Sequence, residues 1–261
     1  MTQILIVDSN TSELNSAART YGYATYSEMY VQALGQVMPD AQTTTIAPYE
    51  DETADVGDYG AVIFTGSSVQ WSTSAPEARP LAVLMEAAFA DGLAVFGTCN
   101  GMQLAATVLG GTVGASPNGR EDGLACEITL TDAGKSHPMM AGRTQHYAMP
   151  STHRDEVLSL PDGAVLLSGN VHSPVQAFAY HVGDVQFWGT QYHLETSLKD
   201  IGKMLARRGL APDDTIADLV AAADDATAAA RLGTTPEELS SNLRLTELRN
   251  WTKTLRKKTL R

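Results

Sequence analysis

The sequence predicts an α/β fold: a mostly parallel sheet with helices on both faces, antiparallel additions and a C-terminal helical appendage. Three observations predict it. Up to residue 109, short continuously apolar runs alternate with amphipathic stretches, the pattern of parallel strands buried on both faces. Beyond that point β-rich runs follow one another with turns between them, as antiparallel strands do. From Pro212 onward, Ala- and Leu-rich stretches carry helical spacing.

The elements follow in order. "ILIVD" (residues 4–8) is a buried strand, and residues 17–38 carry helical spacing although studded with tyrosines. "TTTIAPY" (43–49) and "AVIFTG" (61–66) are strands. Residues 78–91 are a helix rich in Ala, Leu and Met. "LAVFGT" is the next strand and residues 100–109 the next helix. "CEITLT", "EVLSL", "AVLLSG", "VQAFAY" and "VQFWGTQY" supply the antiparallel additions. Residues 212–232 form an Ala- and Asp-rich helix that Gly233 breaks. Thr235-Pro236-Glu237-Glu238 then opens another helix, with Thr as N-cap and Pro in its first turn. Its residues Leu239, Leu243, Leu248, Trp251 and Leu255 fall on one face, which needs a partner surface. The expected organisation is a catalytic domain over residues 1–200 and a helical appendage over residues 201–261.

Composition excludes several classes. The chain has 261 residues, 43% of them hydrophobic and 18% charged, and a net charge of −12, which argues against nucleic acid as a partner. No run of apolar residues is long enough for a membrane span. The opening "MTQILIVDSN" has neither a basic segment nor a cleavage site. The two cysteines make no disulfide framework, and a reducing cytoplasm is expected. Residues 244–261 hold seven Lys/Arg against one Glu, a basic tail able to dock on the acidic body or on a neighbouring subunit in a homo-oligomer. "AGKS" (133–136) resembles the end of a phosphate-binding loop, but Thr129 stands where the first glycine belongs. No Cys/His cluster has metal-ligand spacing, and neither metal nor cofactor is expected.

The informative stretch is "LAVFGTCNGMQLAATVLGG". A strand that turns directly into a helix through Gly97-Thr98-Cys99-Asn100-Gly101 lifts the central side chain above the sheet edge, as a nucleophile elbow does. A helix N-terminus there stabilises a thiolate, and the Asn100 N–H points into the space where an oxyanion develops. Cys126, inside a strand pattern, fits an inert core cysteine. A thiolate nucleophile needs a base and a group to orient it. His137, His146, His172 and His181 fit surface or capping roles, and His153 a role in positioning backbone. His193 follows a buried strand, and Glu195, two residues on in an extended segment, points to the same side. Cys99, His193 and Glu195 thus form a candidate triad.

"FGTCNGMQ…LGG", "TQYHLE", "VIFTGSS" and "HRDEV" together resemble the class I glutamine amidotransferases, in particular stand-alone domains similar to the glutaminase half of GMP synthase. The resemblance spans about residues 1–200. It implies a flavodoxin-like sheet, Cys99 as nucleophile, His193 as base and Glu195 as its orienter. It implies an oxyanion hole made by the Asn100 N–H and an N–H of the Gly66-Ser67 turn. Gln103 is implied to hold the α-amino or α-carboxylate end of a glutamyl group, with backbone near Arg154 and Asp155 closing the other side. Three positions depart from the family pattern: Gly66-Ser67-Ser68 replaces Gly-Gly-Pro, Leu194 replaces a proline, and Arg154 stands where glycine is common. An α/β-hydrolase would place its acidic residue before the late histidine, and a DJ-1-like protein or intracellular peptidase leaves Gln103 and "HRDEV" without a role.

The expected reaction is hydrolysis of the γ-amide of a γ-glutamyl amide or glutamine through a Cys99 thioester. The expected substrate carries an amine larger than ammonia. Trp71 and the tyrosines of "YGYATYSEMY", Tyr23 among them, are candidates for the cleft mouth at the carboxyl ends of the strands; the competing reading packs them between helix and sheet. The alternatives are ammonia delivery to a separate synthetase or ligase, and a non-catalytic glutamine-sensing or protein-binding module.

Overall fold

The computed structural model describes residues 2–255. Its strands are β1 (Gln3–Val7), β2 (Gln42–Ile46), β3 (Ala61–Phe64), β4 (Ala94–Thr98), β5 (Thr112–Ala115), β6 (Glu121–Leu130), β7 (His146–His153), β8 (Asp155–Ser159), β9 (Ala164–Gly169), β10 (Ala177–Val182) and β11 (Val185–Thr190). Nine of them form one sheet in the order β2-β1-β3-β4-β11-β10-β9-β6-β7, and β5 pairs with β8 separately. The run from β2 to β11 is parallel. From β11 to β7 each pairing is antiparallel, as the change of rhythm in the sequence predicts. The "EVLSL" run lies outside the main sheet, in β8.

The helices are α1 (Ser12–Thr20), α2 (Tyr26–Val37), α3 (Arg79–Ala90), α4 (Asn100–Val108), the short turn α5 (Asp132–Ser136), α6 (Leu198–Arg208), α7 (Asp213–Ala221), α8 (Ala226–Arg231), α9 (Ser241–Arg244) and α10 (Thr246–Thr254). The long helix expected over residues 17–38 is two helices. Gly22 turns the chain at φ 77°, and Thr25 opens α2 with a reciprocal capping box to Glu28, which satisfies backbone N–H groups that an uninterrupted helix would not leave free. The helix expected over residues 212–232 is likewise two, α8 being opened by the Asp225 carboxylate, which accepts from the Thr227 and Ala228 N–H groups. Thr235 and Glu238 do exchange capping hydrogen bonds, but the turn they cap ends before α9.

Alternation along the strands assigns the two faces. Ile4 and Ile6 pack with Tyr30 and Leu34 of α2 and with Leu248 and Trp251 of α10. Leu5 and Val7 pack on the other face with Leu81 and Met85 of α3 and Leu104 of α4. A third cluster joins α1 and α2 to α6 and α7 through Tyr23, Tyr26, Met204 and Leu219. The C-terminal apolar face therefore finds its partner surface within the chain: Trp251 is 2% exposed and its ring lies 5.6 Å from that of Phe96 in β4. Leu239 joins the third cluster instead. A buried ion pair fixes the same region, Arg143 to Glu247 at 2.7 Å, with the Tyr192 hydroxyl donating to Glu247 at 2.9 Å. Of the basic tail, Arg256, Lys257, Lys258 and Arg261 lie outside the described residues. Among the described residues no helix is long and apolar enough to cross a membrane.

Candidate active site

The strand–helix bend from β4 to α4 is the elbow the sequence predicts. Cys99 adopts φ 47°, ψ −106°, a conformation that costs a non-glycine residue about 1–3 kcal/mol. The neighbouring glycines make the bend possible. A Cβ on Gly101 would lie 2.3 Å from the Phe64 carbonyl oxygen, and one on Gly97 2.6 Å from the Gly101 backbone, so α4 sits against β3 and β4 at a distance only hydrogen allows. The Cys99 N–H donates to the Thr190 carbonyl of β11 at 2.7 Å, tying the elbow to the strand that carries the histidine.

His193 follows β11, its N–H donating to the Pro150 carbonyl of β7 at 2.8 Å. Its Nδ1 is 2.7 Å from Glu195 Oε1, and both side chains are fully buried. Nδ1–H donates to the carboxylate, leaving Nε2 without a hydrogen-bond partner and facing the Cys99 thiol. Tyr26 stacks on the imidazole at 5.1 Å and 15°. Gly66 closes the ring's edge: a Cβ there would lie 2.5 Å from His193 Cε1. Burial alone would pull the imidazole pKa down; Tyr26, Glu195 and Cys99 outweigh it and hold the imidazolium well above the ordinary histidine range. Cys126 is unlike Cys99. It is half-buried, its thiol lies 3.5 Å from the Leu232 carbonyl, and burial, with Glu121, Glu127 and Glu238, pushes its pKa up.

The Gly66-Ser67-Ser68 turn is fixed by side chains outside the predicted site. Ser67 Oγ donates to the Ser9 carbonyl at 2.6 Å and the Ser68 N–H to Asn10 Oδ1 at 2.8 Å. Asn10 and Asn15 are bonded to each other, and Asn15 and Ser27 both donate to Asp8. Burial raises the Asp8 pKa against these hydrogen bonds. Asp8 at the end of β1 is thus the hub that holds the turn, and the signal for it was "DSN" directly after a buried strand. The N–H groups of Ser67 and Asn100 make no hydrogen bond to any described residue.

Cys99 opens into a cleft whose walls include Ser67, Trp71, Asn100, Gln103, Arg154 and Asp155. Gln103 Nε2 donates to the Asp155 carbonyl at 2.6 Å and to Gln191 Oε1 at 3.2 Å. Arg154 clamps the Asp155 carboxylate and reaches the Gln70 carbonyl at 2.9 Å, so the residue replacing the family's glycine bridges the two loops of the cleft. Trp71 is braced by Tyr49, Nε1 to Oη at 3.1 Å. Tyr23 is not part of this wall. It is 7% exposed, packs among α1, α6 and α7 and meets Arg207, because the Gly22 turn directs it toward the helices rather than the strand ends. His153 also lines the cleft, with Nε2 2.9 Å from Glu121 and Nδ1 3.2 Å from the Asp155 carbonyl, a positioning contact of the kind expected of it. Two residues that sequence reasoning missed, Arg120 and Arg208, complete the lining. Among the described residues, no group of three His, Cys, Asp or Glu is placed to hold a metal ion.

This geometry can be set beside known proteins. The profile described as "Glutamine amidotransferase class-I" matches residues 22–211. A γ-glutamyl-L-1-hydroxyisopropylamide hydrolase from a Pseudomonas species is 32% identical over 204 residues, covering 75% of this chain and 68% of that protein. The chain belongs to the class I glutamine amidotransferase family. Within this family it is an amidotransferase-like hydrolase. The GMP synthase of Thermomicrobium roseum is 29% identical over 189 residues, which are 71% of this chain but 33% of that enzyme; the chain spans about a third of the GMP synthase's length. The fold is shared with a glutamine amidotransferase from Thermotoga maritima at TM-score 0.67 and 16% identity, covering 97% of this chain and 96% of that one. A second, from Methylobacillus flagellatus, matches at TM-score 0.67 and 19% identity, covering 100% and 98%.

Proposed function

We propose that the protein hydrolyses N-substituted γ-glutamyl amides, with Cys99 as nucleophile, His193 as acid and base, and Glu195 as the group that orients His193. The observation that carries this reading is the likeness to the Pseudomonas hydrolase, 32% identical over 204 residues and taking in 68% of that protein.

The chemistry follows from the geometry. The Cys99 thiolate, paired with the His193 imidazolium, attacks the γ-carbonyl carbon and forms a C–S bond. The oxyanion is received by the N–H groups of Asn100 and Ser67, with Gly66 backing the imidazole; each such donor is worth about 3 kcal/mol in the transition state. As the C–N bond breaks, His193 gives its proton to the departing amine. The neutral imidazole then takes a proton from water, the hydroxide attacks the thioester, and glutamate leaves with the thiolate restored. Gln103, Asp155 and Arg154 hold the glutamyl end. Trp71 supports a substrate larger than glutamine, because it extends the cleft wall beyond the turn that carries the oxyanion N–H. Both cysteines are free thiols, which supports a reducing cytoplasm as the working compartment.

The test compares kcat/KM of the purified chain alone for glutamine and for N-alkyl γ-glutamyl amides. The expected result is faster turnover of the substituted amides. Faster turnover of glutamine, or turnover appearing only when a synthetase is added, would assign the protein to ammonia supply instead.

A further inference from the structure

The cleft contains a cation that the hydrolysis just described does not use. Arg208, the last residue of α6, lines the same cleft as Cys99. It is half-buried and makes no hydrogen bond or ion pair to any described residue, whereas Arg120 beside it is bound to Asp122 at 2.6 Å and 2.9 Å and reaches Thr152 Oγ1 at 3.3 Å. Asp122 is already committed, to Arg120 and to the Thr152 hydroxyl at 2.6 Å. Of the three guanidinium groups that line the cleft, Arg154 is paired with Asp155, Arg120 with Asp122, and Arg208 hydrogen-bonds to no described carboxylate. Burial and then the neighbouring Arg120 lower the Arg208 pKa, and the opposing pull of Tyr26 and Asp122 does not make up for them.

The location is specific. Arg208 has Tyr26 among its electrostatic neighbours, and Tyr26 stacks on His193. Arg120 is joined to Thr152, whose carbonyl is 4.0 Å from Cys99 Sγ. Gln103, Asp155 and Arg154 form a separate hydrogen-bonded group. His193 and Tyr26 are buried behind the cleft wall, and of the lining residues Arg208 is the one with Tyr26 among its electrostatic neighbours; since His193 delivers its proton to the departing amine, Arg208 stands on the amine's side of the cleft.

We infer that Arg208, backed by Arg120, binds an anionic group carried by the amine half of the substrate, so that the preferred substrates are γ-glutamyl amides of acidic amines. The inference rests on the hydrolase reading above and adds the charge of the leaving group. A carboxylate or a phosphate fits a guanidinium equally in kind, each accepting paired N–H bonds.

The test measures kcat/KM on matched pairs with the intact protein: γ-glutamylalanine against γ-glutamylalaninol for carboxylate, and γ-glutamyl-phosphoethanolamine against γ-glutamylethanolamine for phosphate. At least one anionic partner is expected to exceed its neutral one by roughly tenfold or more, a difference of about 1.4 kcal/mol; which pair shows it identifies the anion. Arg208→Ala is expected to bring that ratio close to one, and Arg208→Lys to restore part of it. Arg207→Ala, whose side chain lies over Tyr21 and Tyr23, keeps the ratio. Because each ratio is taken on a single preparation, loss of folded protein does not imitate the effect. Neutral amides turned over as fast as acidic ones, or a preference surviving in Arg208→Ala, overturns this inference alone. Failure to hydrolyse any N-substituted amide while glutamine is consumed overturns the hydrolase reading and this inference with it.

Discussion

The two sides of the cleft are built in opposite ways. The nucleophile side is backbone: Cys99, Gly66 and His193 sit at or just beyond the ends of β4, β3 and β11, and the spaces between them admit only hydrogen at Gly66, Gly97 and Gly101. The facing wall is side chain: Arg120, Trp71 and the neighbours Arg154 and Asp155 are held by ion pairs and single hydrogen bonds, and Arg208 joins them without either. On the proposed reading, bond making rests on the close-packed side and choice of substrate on the side chains of the facing wall.

The comparison breaks first at Cys99. Cys99→Ala is expected to lower kcat/KM roughly 10⁴-fold or more while leaving the melting temperature little changed, since the thiol belongs to none of the hydrophobic clusters. Residual amidase activity above a trace would remove Cys99 from the chemistry. The rigidity of the nucleophile side should depend on the helix behind it. Trp251→Ala is expected to cost about 3–5 kcal/mol of stability in denaturant unfolding, because its ring packs on Phe96 in the strand that ends at Cys99. A loss under 1 kcal/mol would show that α10 is not part of the core.

Gly66→Ala tests close packing directly. The added methyl meets the imidazole, and displacing it by even an ångström is expected to cost on the order of 10²-fold in kcat, with about 1–3 kcal/mol of stability lost to overpacking; an unchanged kcat would show that the turn moves freely. Glu195→Gln tests the charge on the same side. A raised His193 pKa means that the imidazolium is present below that pKa and lost as pH rises through it. Removing the carboxylate lowers the pKa, so the alkaline limb of the kcat profile is expected to move to lower pH, with a smaller loss of activity than in His193→Ala. A limb that stays in place would exclude Glu195 as its cause. Arg154→Ala is expected to do least: KM rises several-fold while kcat holds, as for loss of uniform binding. An equal fall in kcat would place Arg154 on the nucleophile side.

What was legible in the sequence follows the same division. The elbow was legible because a Gly-x-Cys-x-Gly bend is a steric requirement written in residue type, and His-x-Glu because a period of two fixes which side chains share a face. The change from parallel to antiparallel strands was legible in the loss of intervening helices. The split between α1 and α2 was written in Gly22 and in Thr25-x-x-Glu28, but the tyrosines masked it. Strands β5 and β7 were missed because Gly114, Pro117 and Pro150 interrupt their patterns. Arg120 and Arg208 could not be found at all: 88 positions separate them along the chain, and only the packing of α6 against β6 and β7 brings them to one cleft. The seating of Trp251 on β4 was equally invisible, because an amphipathic helix declares that it needs a surface and not which one.

Covalent capture of the nucleophile tests Cys99 and His193 together. The intact protein is treated with a glutamine-derived diazoketone or chloroketone, and the adduct is located and timed by mass spectrometry. The expected outcome is one adduct, on Cys99 and not on Cys126, formed far more slowly in His193→Ala. Labelling of Cys126, or a rate at Cys99 that His193→Ala leaves unchanged, would contradict it.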